Sequence, residues 1–160
     1  MHQNTREFKK EKEMEDRAIQ YFVEGLTLVQ NELYLDASHK FAMLAEEFPE
    51  SDLADDALYN VGLCYFKMKQ FEMAIETFQQ DIHNYPDATI SLLDVGNSVG
   101  KTAAKCYYSI VLANLALGRV KMAKEIALQL NQFSEDTYVI VDNKKKTYAE
   151  LAVIALISIK

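Results

Sequence analysis

The chain is poor in most of the features that announce a particular chemistry. Two cysteines in 160 residues, Cys64 and Cys106, make no disulfide framework. Both fall inside helical patterns and read as small buried thiols. Two prolines and five glycines leave little to interrupt regular structure. No apolar run reaches the ~20 residues that a transmembrane helix needs. The opening "MHQNTREFKKEKEMEDR" is charged throughout and contains no secretory apolar segment. A cytoplasmic location is therefore the first expectation, and a periplasmic one, with a signal segment removed ahead of Met1, is the alternative. Seventeen basic against twenty-four acidic residues give a net charge of −7. A nucleic-acid footprint needs clustered Lys and Arg, so no nucleic-acid partner is expected.

The motifs of enzymes fail on spacing. His2, His39 and His83 are far apart, and none has a second His or Cys four residues on, so no metal site is assigned. The acidic doublets Glu46-Glu47 and Asp55-Asp56 read as solvated faces and helix caps, not as acid–base pairs. Ser109 and Ser134 lie in no nucleophile motif. The stretch "LLDVGNSVGKTAA" resembles a phosphate-binding loop, whose pattern is G-x-x-x-x-G-K-[ST]. Here Gly96 and Gly100 are one position too close, and Val95 stands where a glycine is required. Nucleotide binding through residues 96–102 is retained only as an alternative. No catalytic residue and no cofactor are assigned, and the chain is not expected to be an enzyme. Lys144-Lys145-Lys146 reads as the solvated start of a helix.

What the chain does have is a repeat. Gly25, Ala37, Phe41 and Pro49 recur thirty-seven residues later as Gly62, Ala74, Phe78 and Pro86. That period predicts stacked helical units, each burying its apolar face against its neighbours. Apolar spacing predicts helices over 7–31, 35–48, 53–68 and 71–84, with Ser51 or Asp52 capping the third. Residues 87–101 read as a loop insertion. A third unit follows, with Leu117-Gly118-Arg119 at its reversal and Ala123 at the position of Ala37 and Ala74. "SEDTYVIVDN" is a connector, partly extended. A last helix over 145–160 is apolar nearly all round and is expected to be buried. The whole is one domain, 1–160: repeat 1 over 18–51, repeat 2 over 55–88, the insertion at 87–101, a divergent repeat 3 over 104–133, and a capping helix over 145–160. Gly25 and Gly62 are expected where two helix axes approach closely, with Ala37 and Ala74 opposite them. Phe41 and Phe78 are expected to fill the gap towards the following unit.

These positions resemble the tetratricopeptide repeat family. Tyr21, Gly25, Leu28, Ala37, Phe41, Leu44 and Pro49 match its pattern in the first unit. Leu58, Gly62, Tyr65, Ala74, Phe78 and Pro86 match in the second. In the third, Tyr107, Ala123 and Leu130 match, while Val111 and Ala127 depart, as does Asp81 in the second. The likeness covers residues 18–130. The stretch "FPESDLADDALYNVGLCYFKMKQFEMAIETFQQDIHNYPD" is similar to bacterial envelope members of the Tol–Pal coordinator and outer-membrane-assembly lipoprotein type.

The resemblance implies an all-α, right-handed superhelix of antiparallel helix pairs ending in a capping helix. It also implies a concave groove lined by the first helix of each pair. Carried across, those positions are Phe22, Leu26 and Val29, then Tyr59, Leu63 and Phe66, then Tyr108, Leu112 and Leu115. Three readings of this apolar stripe stay open. It is core covered by the last helix folding back, or it grips an amphipathic partner helix, or it serves self-association into a homo-oligomer. Relatives that hold a terminal carboxylate use Lys and Asn on this face, where Phe22, Leu26, Tyr59 and Leu63 stand, so that mode is not expected. The function so implied is a non-enzymatic scaffold or adaptor binding a protein or peptide, with an envelope assembly factor as the alternative.

Overall fold

The computed structural model describes residues 2–94 and 96–159. Among them are seven helices: α1 (His2–Gln30), α2 (Tyr34–Glu47), α3 (Ala54–Lys67), α4 (Phe71–Asn84), α5 (Thr102–Ala116), α6 (Val120–Leu128) and α7 (Tyr148–Ile157). A 3-10 turn over Gln129–Gln132 extends α6. Helices α1 to α6 form three pairs that pack in chain order, and α7 lies against α5 and α6. The fold is the all-α stacked-pair superhelix that the period predicts.

The units are alike down to the backbone. The reversal within each pair places one residue in the left-handed region: Glu32 (φ 59°), Lys69 (φ 60°) and Gly118 (φ 74°). At each, the next amide donates back to the carbonyl five residues earlier: Leu33 to Leu28, Gln70 to Tyr65, Arg119 to Asn114. This is the helix-ending Schellman arrangement. The ends of α2 and α4 also agree, Phe48 at φ −130°, ψ 57° and Tyr85 at φ −132°, ψ 57°. The Tyr85 hydroxyl donates to the Pro49 carbonyl at 3.0 Å, tying the end of one unit to the end of the previous one.

Gly25 and Gly62 sit at close approaches to the second helix of their pairs, as expected. A Cβ on Gly25 would lie 2.7 Å from the Phe41 ring, and one on Gly62 would lie 2.5 Å from the Phe78 ring. Each phenylalanine lies across the glycine of its own pair and also belongs to a core shared with the next one, Phe41 with Ala57 and Val61 and Phe78 with Cys106 and Ile110. Phe22 meets Phe41 edge-on at 5.5 Å between centroids, and Tyr59 meets Phe78 at 5.4 Å. Glycine is required because the ring occupies the volume a side chain would take.

Several expectations need correction. The expected loop and connector contain three short strands, β1 (Ser98–Val99), β2 (Tyr138–Val141) and β3 (Lys144–Lys146), in one antiparallel sheet of order β1-β2-β3. Asp142 (φ 49°) and Asn143 (φ 61°) form the two-residue turn between β2 and β3, the type I′ geometry that suits strand twist. Lys144–Lys146 therefore belongs to a strand, not a helix start. The last helix begins only at Tyr148, because Thr147 caps it. The Glu150 amide donates to Thr147 Oγ1 at 3.2 Å, and the Thr147 amide donates to the Glu150 carboxylate at 2.7 Å. Lys160 lies outside the described residues. Nor is α7 buried all round: Val153 and Ile157 are 57% and 74% exposed. Helix α7 packs on α5, α6 and the 3-10 turn, and Val153 and Ile157 face away from that packing. For α3, neither Ser51 nor Asp52 is the cap: Leu53 holds that position with no side-chain cap bond, although Ser51 Oγ accepts from the Leu53 amide at 3.2 Å.

Candidate functional site

The irregular part of the chain is held to the regular part by carboxyl groups. Asp55 and Asp56, at the start of α3, are buried rather than solvated, which corrects the reading of that doublet. The Asp56 carboxylate accepts from the Ser91 amide at 2.9 Å, and Asp55 accepts from the Thr102 hydroxyl at 2.5 Å. Lys105, on α5, forms an ion pair with Asp94. The 87–101 insertion is thus laid over α3 and locked where it enters α5. Burial, reinforced by the charges of Asp55 and Asp94, pushes the Asp56 carboxyl up to about 8 against the pull of the Ser91 amide and Lys105. Burial also raises Asp55, against the hydroxyl of Thr102. Asp81, the departure from the repeat pattern on α4, is likewise pushed up to about 8 by burial, opposed by the thiol of Cys106. That thiol donates to Asp81 Oδ2 at 3.2 Å, while Oδ1 finds no hydrogen-bond partner among the described residues. Cys64 and Cys106 are free and buried, as the sequence suggests.

The end of the insertion is tied closely to the rest of the chain. Gly100 (φ +111°) has no room for a side chain because a Cβ would lie 2.4 Å from Thr137 Oγ1. The Lys101 amide donates to that same hydroxyl at 3.1 Å, and the Lys101 amine to the Asp87 carbonyl at 2.8 Å. The Thr102 amide donates to the Ala88 carbonyl at 3.1 Å. Both Lys101 and Thr102 are thus engaged within the fold. Val95 lies outside the described residues.

Pinning the insertion opens a cavity beside it. About 340 Å³ in volume, it is bounded by α3, α5, the β2–β3 hairpin and α7. Tyr59, Leu63 and Phe66 come from α3, Tyr108 and Leu112 from α5, Val139 and Val141 from β2, and Tyr148 and Leu151 from α7. Four of its hydroxyls pair up: Tyr59 and Ser109 share a hydrogen bond at 3.2 Å, as do Ser98 and Tyr148 at 2.6 Å. The Lys105 amine stands 4.2 Å from the centroid of the Tyr59 ring. Burial pushes the Tyr148 hydroxyl up to about 12, and its bond to Ser98 pulls the other way. Apart from Lys105, which is paired with Asp94, the cavity offers a mainly apolar wall.

Of the nine residues expected to line a groove, the structure brings Tyr59, Leu63, Phe66, Tyr108 and Leu112 around this one cavity. Phe22 and Leu26 are elsewhere, sequestered in the first core beside Phe41 and Leu44, with Val29 packed against it. Leu115 packs against the third core, around Val111 and Ala123. The stripe is therefore core in the first unit and opens to a cavity only between the second and third. Helix α7 neither fills the cavity nor leaves it: Tyr148 and Leu151 form one wall. Sequence reasoning missed Val139, Val141, Tyr148 and Leu151. The available signal was "YVIVDNKKK", a short β-branched run before a turn pair of Asp-Asn.

Among the described residues, no three His, Cys, Asp or Glu are placed to hold a metal ion, and no helix is long and apolar enough to cross a membrane. No curated protein matches the chain. The family model of the tetratricopeptide repeat matches residues 55–80, the α3–α4 pair. Among solved structures, the chain is similar to the Hsp90 co-chaperone Cns1 from Saccharomyces cerevisiae, at 17% identity and a TM-score of 0.64, over 90% of this chain and 39% of that one. It is similar to MamA AMB-1 at 20% identity and a TM-score of 0.55, over 73% of this chain and 59% of that one. It is also similar to the TPR domain of Arabidopsis FLU, at 16% identity and a TM-score of 0.58, over 72% of this chain and 92% of that domain. The chain thus spans well under two thirds of Cns1 and MamA. Identities this low speak to fold alone. The chain carries a tetratricopeptide repeat at residues 55–80, within an all-α superhelix of tetratricopeptide-repeat type.

Proposed function

We propose that the chain is a non-enzymatic interaction scaffold that takes an apolar segment of a partner polypeptide into the cavity between α3, α5, the hairpin and α7. One observation carries the reading: walls from separate elements converge on a mainly apolar space in which two pairs of hydroxyls, Tyr59–Ser109 and Ser98–Tyr148, already bond to each other. Concave apolar sites of a few hundred Å³ are where proteins take up ligand groups, and a volume of 340 Å³ admits one or two large side chains. One fold neighbour, Cns1, is a co-chaperone, which supports such a role. Helix-in-groove docking is the mode that suits this shape.

The test is affinity capture of partner polypeptides by the full chain. Leu63→Arg combined with Leu112→Arg places two charges in the cavity wall. Met73→Arg, on an exposed site of α4, is the control. Partners held by the wild type and by Met73→Arg should be lost from the double variant, with the helical signal in circular dichroism unchanged. Equal capture by a folded double variant would end the proposal.

A further inference from the structure

The charge of the chain is unevenly divided. Residues 1–95 carry eight Lys and Arg against nineteen Asp and Glu, whereas residues 96–160 carry nine against five. The second group builds most of the cavity. The strand register shows where its cations stand. Lys146 pairs with Val139 and Lys144 with Val141. Directly opposed residues of an antiparallel pair share a face, so both lysines lie on the side of the hairpin whose valines line the cavity. Lys145 lies on the other side, where its amine sits 4.3 Å from the centroid of the Tyr138 ring. On α3, exposed Lys67 continues the Leu63 stripe one turn further.

Two of the acids of this region are already engaged, while Glu135 and Asp136 precede β2 and are exposed. Asp94 is taken by Lys105. The Glu150 carboxylate is taken by the cap of α7. Asp142, in the hairpin turn, is the remaining exposed acid of the hairpin. Neither Lys144 nor Lys146 forms an ion pair among the described residues. Cations on the same face as an apolar cavity, on a chain of net charge −7, would select a partner by charge sign as well as by shape.

We infer that the segment taken into the cavity carries a large apolar anchor flanked by acidic residues, which meet Lys144 and Lys146 across the rim. This rests on the scaffold reading above and specifies the partner's chemistry. The lysines do not hold a chain terminus; they stand on an inserted hairpin and meet side chains along an internal stretch. They also blunt the free edge of the sheet at β3, which is reason enough for a cation there. That role requires no preference among lysine faces, whereas rim recognition does.

The experiment is a selection from a random 16-residue peptide display library on the full chain. Peptides retained by Leu112→Arg are discarded, with Val141→Arg replacing that variant should it fail to fold. The pocket-dependent peptides are then titrated by fluorescence anisotropy. Expected are peptides rich in Asp and Glu around a Phe, Leu or Trp, at least tenfold weaker on Lys144→Glu/Lys146→Glu and changed less than threefold on Lys145→Glu. Raising the salt should erode the difference. Pocket-dependent peptides with no acidic bias, or equal losses on both lysine faces, would overturn this inference and leave the scaffold reading intact. Recovery of no pocket-dependent peptide would remove both.

Discussion

The second and third helix pairs solve one packing problem in opposite ways. In α3–α4 a glycine faces a phenylalanine, Gly62 beneath the ring of Phe78. Forty-nine residues on, the same two positions hold Val111 and Ala127, which pack in one core. The volume has moved from the second helix of the pair to the first. The turn is exchanged as well: Lys69 takes the left-handed position in α3–α4, where α5–α6 has Gly118. What a repeat conserves is therefore the filled space and the backbone turn, not the residue at any one position. The freedom this gives is used at the third unit, where the insertion and hairpin attach and the cavity forms.

The largest expected effect breaks this comparison directly. Phe78→Ala should cost about 3–5 kcal/mol in urea unfolding, and Gly62→Val about 1–3 kcal/mol by overpacking. The double variant copies the third unit into the second. It should be more stable than the two costs added predict, by roughly 1–3 kcal/mol of coupling. Strict additivity would show that the two positions do not share a volume.

Next comes pH. Asp56 and Asp81 bind a proton more tightly folded than unfolded, each pushed up to about 8. Their contribution to stability is full below the unfolded carboxyl value of about 4 and is lost as pH rises through about 8. The melting temperature should therefore fall between pH 5 and pH 9, and Asp81→Asn should flatten that slope and stabilise the protein at pH 9. A slope untouched by Asp81→Asn would mean that this carboxyl is not held neutral. Groups facing it are Cys106, Asp55 and Lys105, so the measurement is best repeated in Asp55→Asn.

Smaller effects sharpen the contrast between units. Thr147→Ala removes the cap of α7 and should cost about 1 kcal/mol in thermal or urea unfolding. Lys69→Gly gives the second unit the turn residue of the third and should stabilise by up to about 1 kcal/mol, read as a shift in the urea midpoint. Destabilisation there would mean that the lysine side chain holds the turn in some further way.

The helices were legible because period and apolar spacing report which face is buried. α4 runs over Phe71–Asn84, as the spacing predicts. Burial that depends on distant chain was not legible. Asp55 and Asp56 look like surface acids at a helix start and become core only because residues 88–102 return over them. The hairpin escaped notice because Lys144–Lys146 carries no apolar alternation of its own; its register comes from the Asp142-Asn143 turn and from β2. α7 reads as a buried helix by composition, yet Val153 and Ile157 face away from its packing. As for the site, Tyr59, Leu63, Phe66, Tyr108 and Leu112 were readable as one stripe. That Phe22 and Leu26 belong to a closed core was not, since the same residue types serve both ends of the superhelix.

Site-specific photo-crosslinking tests the central claim most directly. A benzoylphenylalanine at Leu112, in the cavity wall, should give a discrete adduct with a partner polypeptide, and one at exposed Met73 should give none. Adducts at Met73 with none at Leu112, from protein that remains folded, would contradict the account.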